Sequence, residues 1–268
     1  MSLNRLSAVA AVAAAALSAA ANADLIGGWT MPCAFPTGTG NVPTGTFFKV
    51  PLALNPDGTT YNANPNTGGA TWDPTLAGRA DSGAKKLQAG FELSSTHQLA
   101  SYSTTPTSYT SPAGNGSTYA FSSNVWKAGD YYQAKFDTTG YSGISFSFDQ
   151  IRSSTGPASW LVEMSVNGGT SFTTIVSAYD PGTSPSWSTT TNNPGATRTA
   201  SLGASADNAA EVIVRIRALV DSLNSSSVYQ PGGTSRIDNI LVSGTLVPAP
   251  GAAALVGLAG LMARRRRA

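Results

Sequence analysis

Between Ser142 and Ile151 the chain places Ile144, Phe146 and Phe148 in alternation with Ser145, Ser147 and Asp149. A period of two is the pattern of a strand with one face in a core and the other in water. It constrains the fold more than any other feature, because it recurs. Trp160, Val162, Met164 and Val166 alternate with Leu161, Glu163 and Ser165, and Val212, Val214, Ile216 and Ala218 share one face with Arg215 and Arg217 on the other. Tyr131 to Phe136 is a short aromatic run, and Ile237, Ile240 and Val242 close the series. Asn167-Gly168-Gly169 tolerates positive φ, so Ser171 to Tyr179 is expected to fold back as a hairpin partner of the Trp160 run. Strands joined by turn-rich loops, with no helical period between Asp24 and Val247, favour an antiparallel sandwich over an alternating βα sheet. The expected fold is all-β: a single antiparallel β-sandwich, jelly-roll-like, over residues 24–246, flanked by an N-terminal signal helix and a short C-terminal transmembrane helix.

The N-terminal half is less regular. Phe47 to Leu54 and Leu87 to Leu93 are expected strands, with Pro51 pushing the first towards a sheet edge. Ala34 to Gly45, Asn55 to Gly69, Ser101 to Ser117 and Thr183 to Thr199 are rich in Gly, Pro, Asn, Ser and Thr and are expected as loops. Composition excludes several alternatives. Charged residues make up only 11% of the 268, too few for a coiled coil or a helical repeat. Cys33 is alone, which excludes a disulfide scaffold and a Cys-rich metal site. Nine Phe, nine Tyr and five Trp supply core material, which argues against a disordered chain.

The two ends have the character of addresses. Arg5 supplies a sparse positive start, Leu6 to Ala21 is apolar apart from Ser7 and Ser18, and Ala21-Asn22-Ala23 is a small-x-small cleavage pattern, so residues 1–23 are expected as a signal peptide cut before Asp24. At the other end, Val247-Pro248-Ala249-Pro250 is followed by an apolar stretch from Gly251 to Ala263 and then by Arg264, Arg265, Arg266 and Arg267. Thirteen helical residues span about 20 Å, short of the roughly 30 Å hydrocarbon core, so the Arg stems must snorkel to the interface. Arginines directly after the apolar stretch stay on the cytoplasmic side, and the body, led out by its signal, lies on the far side. Without Arg5 and the four terminal arginines, 11 basic residues face 14 acidic ones, and the body carries −3. A net-acidic body argues against a nucleic-acid partner.

Residues 247–268 resemble the sorting tail of PEP-CTERM proteins, the exported bacterial substrates of exosortase, in the order Pro motif, short apolar helix, Arg cluster. Ala249 stands where that family's Glu sits. The resemblance implies a surface or extracellular-matrix protein, often associated with exopolysaccharide, handled by the export machinery, a signal peptidase and an exosortase-like enzyme. It leaves open whether the tail is cleaved or stays as a stop-transfer anchor. More loosely, Gly114 to Trp160 (with Asn115-Gly116-Ser117, Trp126, Gly129-Asp130-Tyr131-Tyr132, Ser147-Phe148-Asp149-Gln150 and Arg152 to Pro157) together with Arg236-Ile237-Asp238-Asn239-Ile240 looks like β-sandwich modules found among proteins with this tail. Those modules have no catalytic residues to carry over.

Little chemistry stands out. His97 is the only histidine, it lies in a polar stretch, and no Gly-x-Ser-x-Gly elbow accompanies it. Glycoside hydrolysis needs two carboxylates across the scissile bond. The glutamates are Glu92, Glu163 and Glu211; Asp149 and Glu163 could share an outward face on neighbouring strands, with the register left open by the sequence, and pairing of outward polar residues with each other or with Arg215 and Arg217 is the ordinary explanation for them. Asp130, Asp137 and Asp238 are scattered oxygen donors without a calcium-loop spacing. No cofactor is expected. Trp126, Tyr131, Tyr132, Trp160, Trp187 and Tyr229 are the aromatics available to stack on sugars, with Trp160 in phase with the core residues Val162 and Met164. The expected function is therefore a non-enzymatic exported protein of the cell surface or matrix. A carbohydrate-binding module attaching to exopolysaccharide is the alternative, and a secreted hydrolase ranks behind it.

Overall fold

A computed structural model of the chain describes residues 23–30, 48–49, 79–86, 88–96, 100–103, 119–183 and 195–247. Twelve strands run in the order β1 (Asp24–Trp29), β2 (Phe48–Lys49), β3 (Glu92–Ser95), β4 (Ala100–Ser103), β5 (Tyr119–Ser123), β6 (Tyr131–Phe136), β7 (Tyr141–Arg152), β8 (Trp160–Ser165), β9 (Thr173–Tyr179), β10 (Thr197–Ser201), β11 (Val212–Ala218) and β12 (Ser235–Leu246). They form two six-stranded sheets. The first has the order β10-β7-β12-β5-β4 with β1 also paired to β12, the second the order β2-β3-β6-β11-β8-β9, and the pairings are antiparallel.

The alternation seen in the sequence decides which faces meet. Ile144, Phe146 and Phe148 of β7 and Ile237, Ile240 and Val242 of β12 point from the first sheet into one core with Tyr132, Ala134 and Phe136 of β6, Val162 of β8, and Val212, Val214 and Ile216 of β11 from the second. Phe136 and Phe146 stack across the layers at 6.1 Å between centroids. At one end of the core, Trp126 lies 4.9 Å from both Tyr132 and Trp160. The polar tips of these three rings are satisfied by backbone carbonyls: Trp126 donates to Ser123, Trp160 to Pro157 and Tyr132 to Ser235. Such pairs contribute about 0.5–1.5 kcal/mol each beyond the area they bury.

Strand limits follow the sequence closely in the C-terminal half. β8 and β9 form the expected hairpin, with Gly168 and Gly169 at φ 71° and 81°. The N-terminal half differs more. The expected strand at Leu87 to Leu93 is displaced, with β3 at Glu92–Ser95, because its register is set by pairing with β6 and no alternation of its own marks it. Two expected loops give up residues to edge strands: Ser101 to Ser103 fall within β4, and Thr197 to Thr199 within β10 on β7. In each case the ladder to a neighbour outweighs a polar local composition. Phe48–Lys49 forms the short edge strand β2 inside the expected Phe47 to Leu54 run.

Three loops gather at one end of the sandwich and are tied by backbone hydrogen bonds. Val125 donates to Pro231, Ser222 to Trp126, and Ser153 to Thr234. At the opposite end, Asp24 pairs with Gly244, and the Val247 N–H donates to Gly140. The start and finish of the body therefore leave it side by side. Among the described residues no helix is long and apolar enough to cross a membrane. The expected signal helix and C-terminal helix lie outside the described residues, apart from Ala23 and Val247, which are exposed.

Candidate functional site

The outer face of the second sheet holds the most organised group of polar and aromatic side chains in the described part of the chain. β11 is central there, between β6 and β8. Its alternation turns Val214 and Ile216 inward and Arg215 and Arg217 outward. Cross-strand register sets Arg215 opposite Gln133 and Glu163, and Arg217 opposite Tyr131 and Leu161.

The side chains do not pair straight across. Both Glu163 oxygens accept from Arg217, Nε at 3.0 Å and Nη2 at 3.1 Å, the two-bond fork that suits a guanidinium and a carboxylate. Arg215 donates from Nε to the neutral Gln133 Oε1 at 2.8 Å. Its guanidinium lies 4.2 Å from the centroid of Tyr131 and 4.1 Å from that of Phe172. Tyr131, Phe172 and Arg215 are all half-buried. Phe172 comes from the loop before β9, and a side chain at Gly169 would meet Ile213 and Phe172 at 3.6 and 3.8 Å. The hairpin turn thus folds that ring back towards β11. Burial raises the Tyr131 phenol above its ordinary value, and the Arg215 charge opposes this, so the ring stays neutral at any physiological pH. Further along the face, Lys135 pairs with Glu211. The group is preorganised: two arginines are held in defined planes, one by a carboxylate and one by two rings and an amide.

The carboxylates weighed for hydrolysis are not together. Asp149 belongs to β7 of the first sheet and Glu163 to β8 of the second, so the two do not share a face. Similar strand patterns cannot show which sheet each strand joins. Asp149 points away from the core, accepts from the Thr197 hydroxyl and from Asn239 Nδ2, and is raised above its ordinary value by burial, against the pull of those two bonds. Asn239, at φ 46°, sits where the β12 register shifts. Asp130 accepts from the Lys127 N–H, Asp137 pairs with Lys85, and Asp238 is fully buried. Among the described residues no three His, Cys, Asp or Glu side chains gather as a metal site.

The six candidate aromatics divide. Trp126, Tyr132 and Trp160 are fully buried, as the phase of Trp160 with Val162 suggested. Tyr131 and Tyr229 are half-buried, and each carries a cation, Arg215 on Tyr131 and Lys127 at 3.3 Å from the centroid of Tyr229. Trp187, His97 and Cys33 lie outside the described residues, as do Ala21, Pro248, Ala249, Pro250, Arg264, Arg265, Arg266 and Arg267. Phe172 went unnoticed in the sequence. Nothing in a Ser-Phe-Thr-Thr stretch after a turn announces a ring laid over a strand two places away in the sheet.

No family model and no curated protein matches the chain. Among solved structures, the chain is similar to the K2 cleaved adhesin domain of Lys-gingipain, with 13% identity and a TM-score of 0.32 over 54% of this chain and 80% of that one. It is also similar to carbohydrate-binding modules of the β-sandwich superfamily, at 13% and 0.34, over 57% of this chain and 56% of that one. A third is the CBM22-2 xylan-binding domain of Paenibacillus barcinonensis Xyn10C, at 12% and 0.31, over 57% and 91%. This chain thus spans little more than half the length of the second of these structures.

Proposed function

We propose that this protein is an exported, non-enzymatic binding module of jelly-roll type that holds polysaccharide against the outer face of its second sheet. The Tyr131–Arg215–Phe172 stack carries the reading. Sugars are bound by rigid aromatic bodies beside fixed hydrogen-bond donors, and here one half-buried guanidinium on the central strand of a sheet lies against two half-buried rings from neighbouring segments. The non-enzymatic part is supported by how the carboxylates are used: Glu163 is committed to Arg217, and Asp149 to Thr197 and Asn239. The small-x-small pattern before Asp24 and the Pro-Ala-Pro, apolar and Arg segments of residues 247–268 support export and an exosortase-like sorting step. With Asp24 beside Gly244, a tail held at the envelope would leave the three tied loops facing outward and the binding face standing clear at the side.

Two experiments test it. Affinity electrophoresis of the intact chain against neutral and acidic polysaccharides is expected to show retardation, weakened about tenfold by Tyr131→Ala or Phe172→Ala; no retardation by any polymer overturns the binding reading. Deletion of residues 247–268 in an exosortase-bearing host is expected to release the protein from the cell surface, and mass spectrometry of the mature C-terminus separates cleavage from a permanent anchor. Unchanged surface retention overturns the sorting reading alone.

A further inference from the structure

We propose that Arg215 makes the binding face selective for carboxylate-bearing polysaccharide, such as uronate polymers, over neutral chains of the same backbone. The inference rests on the binding reading above. Glu163 is the carboxylate nearest to Arg215 in register, and its charge is taken up by Arg217 through both oxygens. The other register neighbour is Gln133, which accepts from Arg215 Nε without supplying charge. Further along this sheet, Lys135 is matched by Glu211, and Arg79 by Glu92. Among the described residues Arg215 therefore contributes a positive charge with no ion-pair partner, on a body that is otherwise net acidic.

A lone surface lysine would give only a diffuse attraction, but this cation is built differently. Tyr131 and Phe172 flank the guanidinium at 4.2 and 4.1 Å. The two rings and the Gln133 amide together fix where the guanidinium lies. A planar donor array held in one orientation matches a planar carboxylate, and little side-chain entropy remains to be lost on binding. The half-buried rings beside the arginine are the aromatic groups nearest to the sugar bearing that carboxylate. Attraction is local, since at physiological ionic strength charges beyond about 8 Å are screened, so the acidic body as a whole does not cancel it.

The test compares polymers that differ only in charge: polygalacturonate and alginate, each against its fully esterified form, with the intact chain in affinity electrophoresis and calorimetry at about 50 mM salt. Binding to at least one acid form is expected to exceed binding to its ester by about tenfold, and to fall towards the ester value as salt is raised. Arg215→Gln is expected to bring acid and ester to within a factor of two, and Arg215→Lys, which keeps the charge but loses the plane, is expected to recover less than half of the preference on a logarithmic scale. Equal binding of acid and ester by the unaltered chain overturns the selectivity while leaving polysaccharide binding intact. Binding to neutral polymers alone does the same. Absence of binding to every polymer removes both readings. The salt and ester comparisons use the unaltered chain, so a variant that fails to fold does not block the decision.

Discussion

Arg215 stands in register with Glu163 across the β8–β11 pair, yet both carboxylate oxygens of Glu163 accept from Arg217, two residues along the same strand. The diagonal choice leaves Arg215 to the rings of Tyr131 and Phe172. It also commits Glu163, 8% exposed, to one of two neighbouring guanidinium groups.

Glu163→Gln should therefore destabilise the fold by about 2 kcal/mol, the range for losing hydrogen bonds to a charged partner in a largely buried setting. A shift of the urea midpoint at unchanged slope measures it. A midpoint equal to that of the unaltered chain would show that water serves Arg217 as well as the carboxylate does.

Trp126→Ala should cost more, about 3–5 kcal/mol. It empties the space against Tyr132 and Trp160 and leaves the Ser123 carbonyl without the indole donor. Thermal unfolding followed by fluorescence of the remaining tryptophans reports it. A loss below about 1 kcal/mol would mean that this end of the core is loosely packed.

Gly156 and Gly232 offer a matched pair. A Cβ on Gly156 would lie 2.2 Å from the Thr234 carbonyl oxygen, a backbone atom that cannot swing away, whereas a Cβ on Gly232 meets nothing within 4 Å. Gly156→Ala should lower stability by about 1–3 kcal/mol, and Gly232→Ala should leave it unchanged or raise it by a few tenths of a kcal/mol. The reverse ranking in chemical denaturation would contradict the way the two loops abut.

Acid should weaken the protein through Asp180 and not through Asp149. Arg152 donates from Nε and Nη2 to the two Asp180 oxygens at 2.7 Å each and lowers that carboxyl below its ordinary value of 3.8, against a smaller opposing effect of burial. The unfolded chain then takes up the proton first, so this contribution is complete above about pH 3.8 and disappears as pH falls through the folded value. Because Asp180 is well exposed, the pair is worth about 1 kcal/mol or less. Asp149 runs the other way: burial raises it, the folded state takes up the proton first, and stability rises as pH falls through its folded value towards 3.8. Comparing urea midpoints at pH 6 and pH 3, Asp180→Asn should lose less on acidification than the unaltered chain. An identical loss in both proteins would remove Asp180 from the account.

Much of the sandwich was legible because one face of each main strand is oily and the other is not. Ile144, Phe146 and Phe148 declare an inner face wherever β7 ends up, and Gly168 and Gly169 declare a reversal wherever the hairpin lies. The edge strands β4 and β10 were illegible for the opposite reason: Ala-Ser-Tyr-Ser and Thr-Arg-Thr-Ala-Ser have no face to bury and become strands only because a neighbour offers a ladder.

Antiparallel strands around an aromatic core can be read from the residues alone, since alternation and turn residues act over a few positions and need no knowledge of partners. Which strands are neighbours emerges only when the chain is folded. That choice sent Asp149 and Glu163 to different sheets, gave Glu163 to Arg217, and laid Phe172 over Arg215. Register and sheet membership are set by contacts between residues far apart along the chain, where local periodicity carries no information.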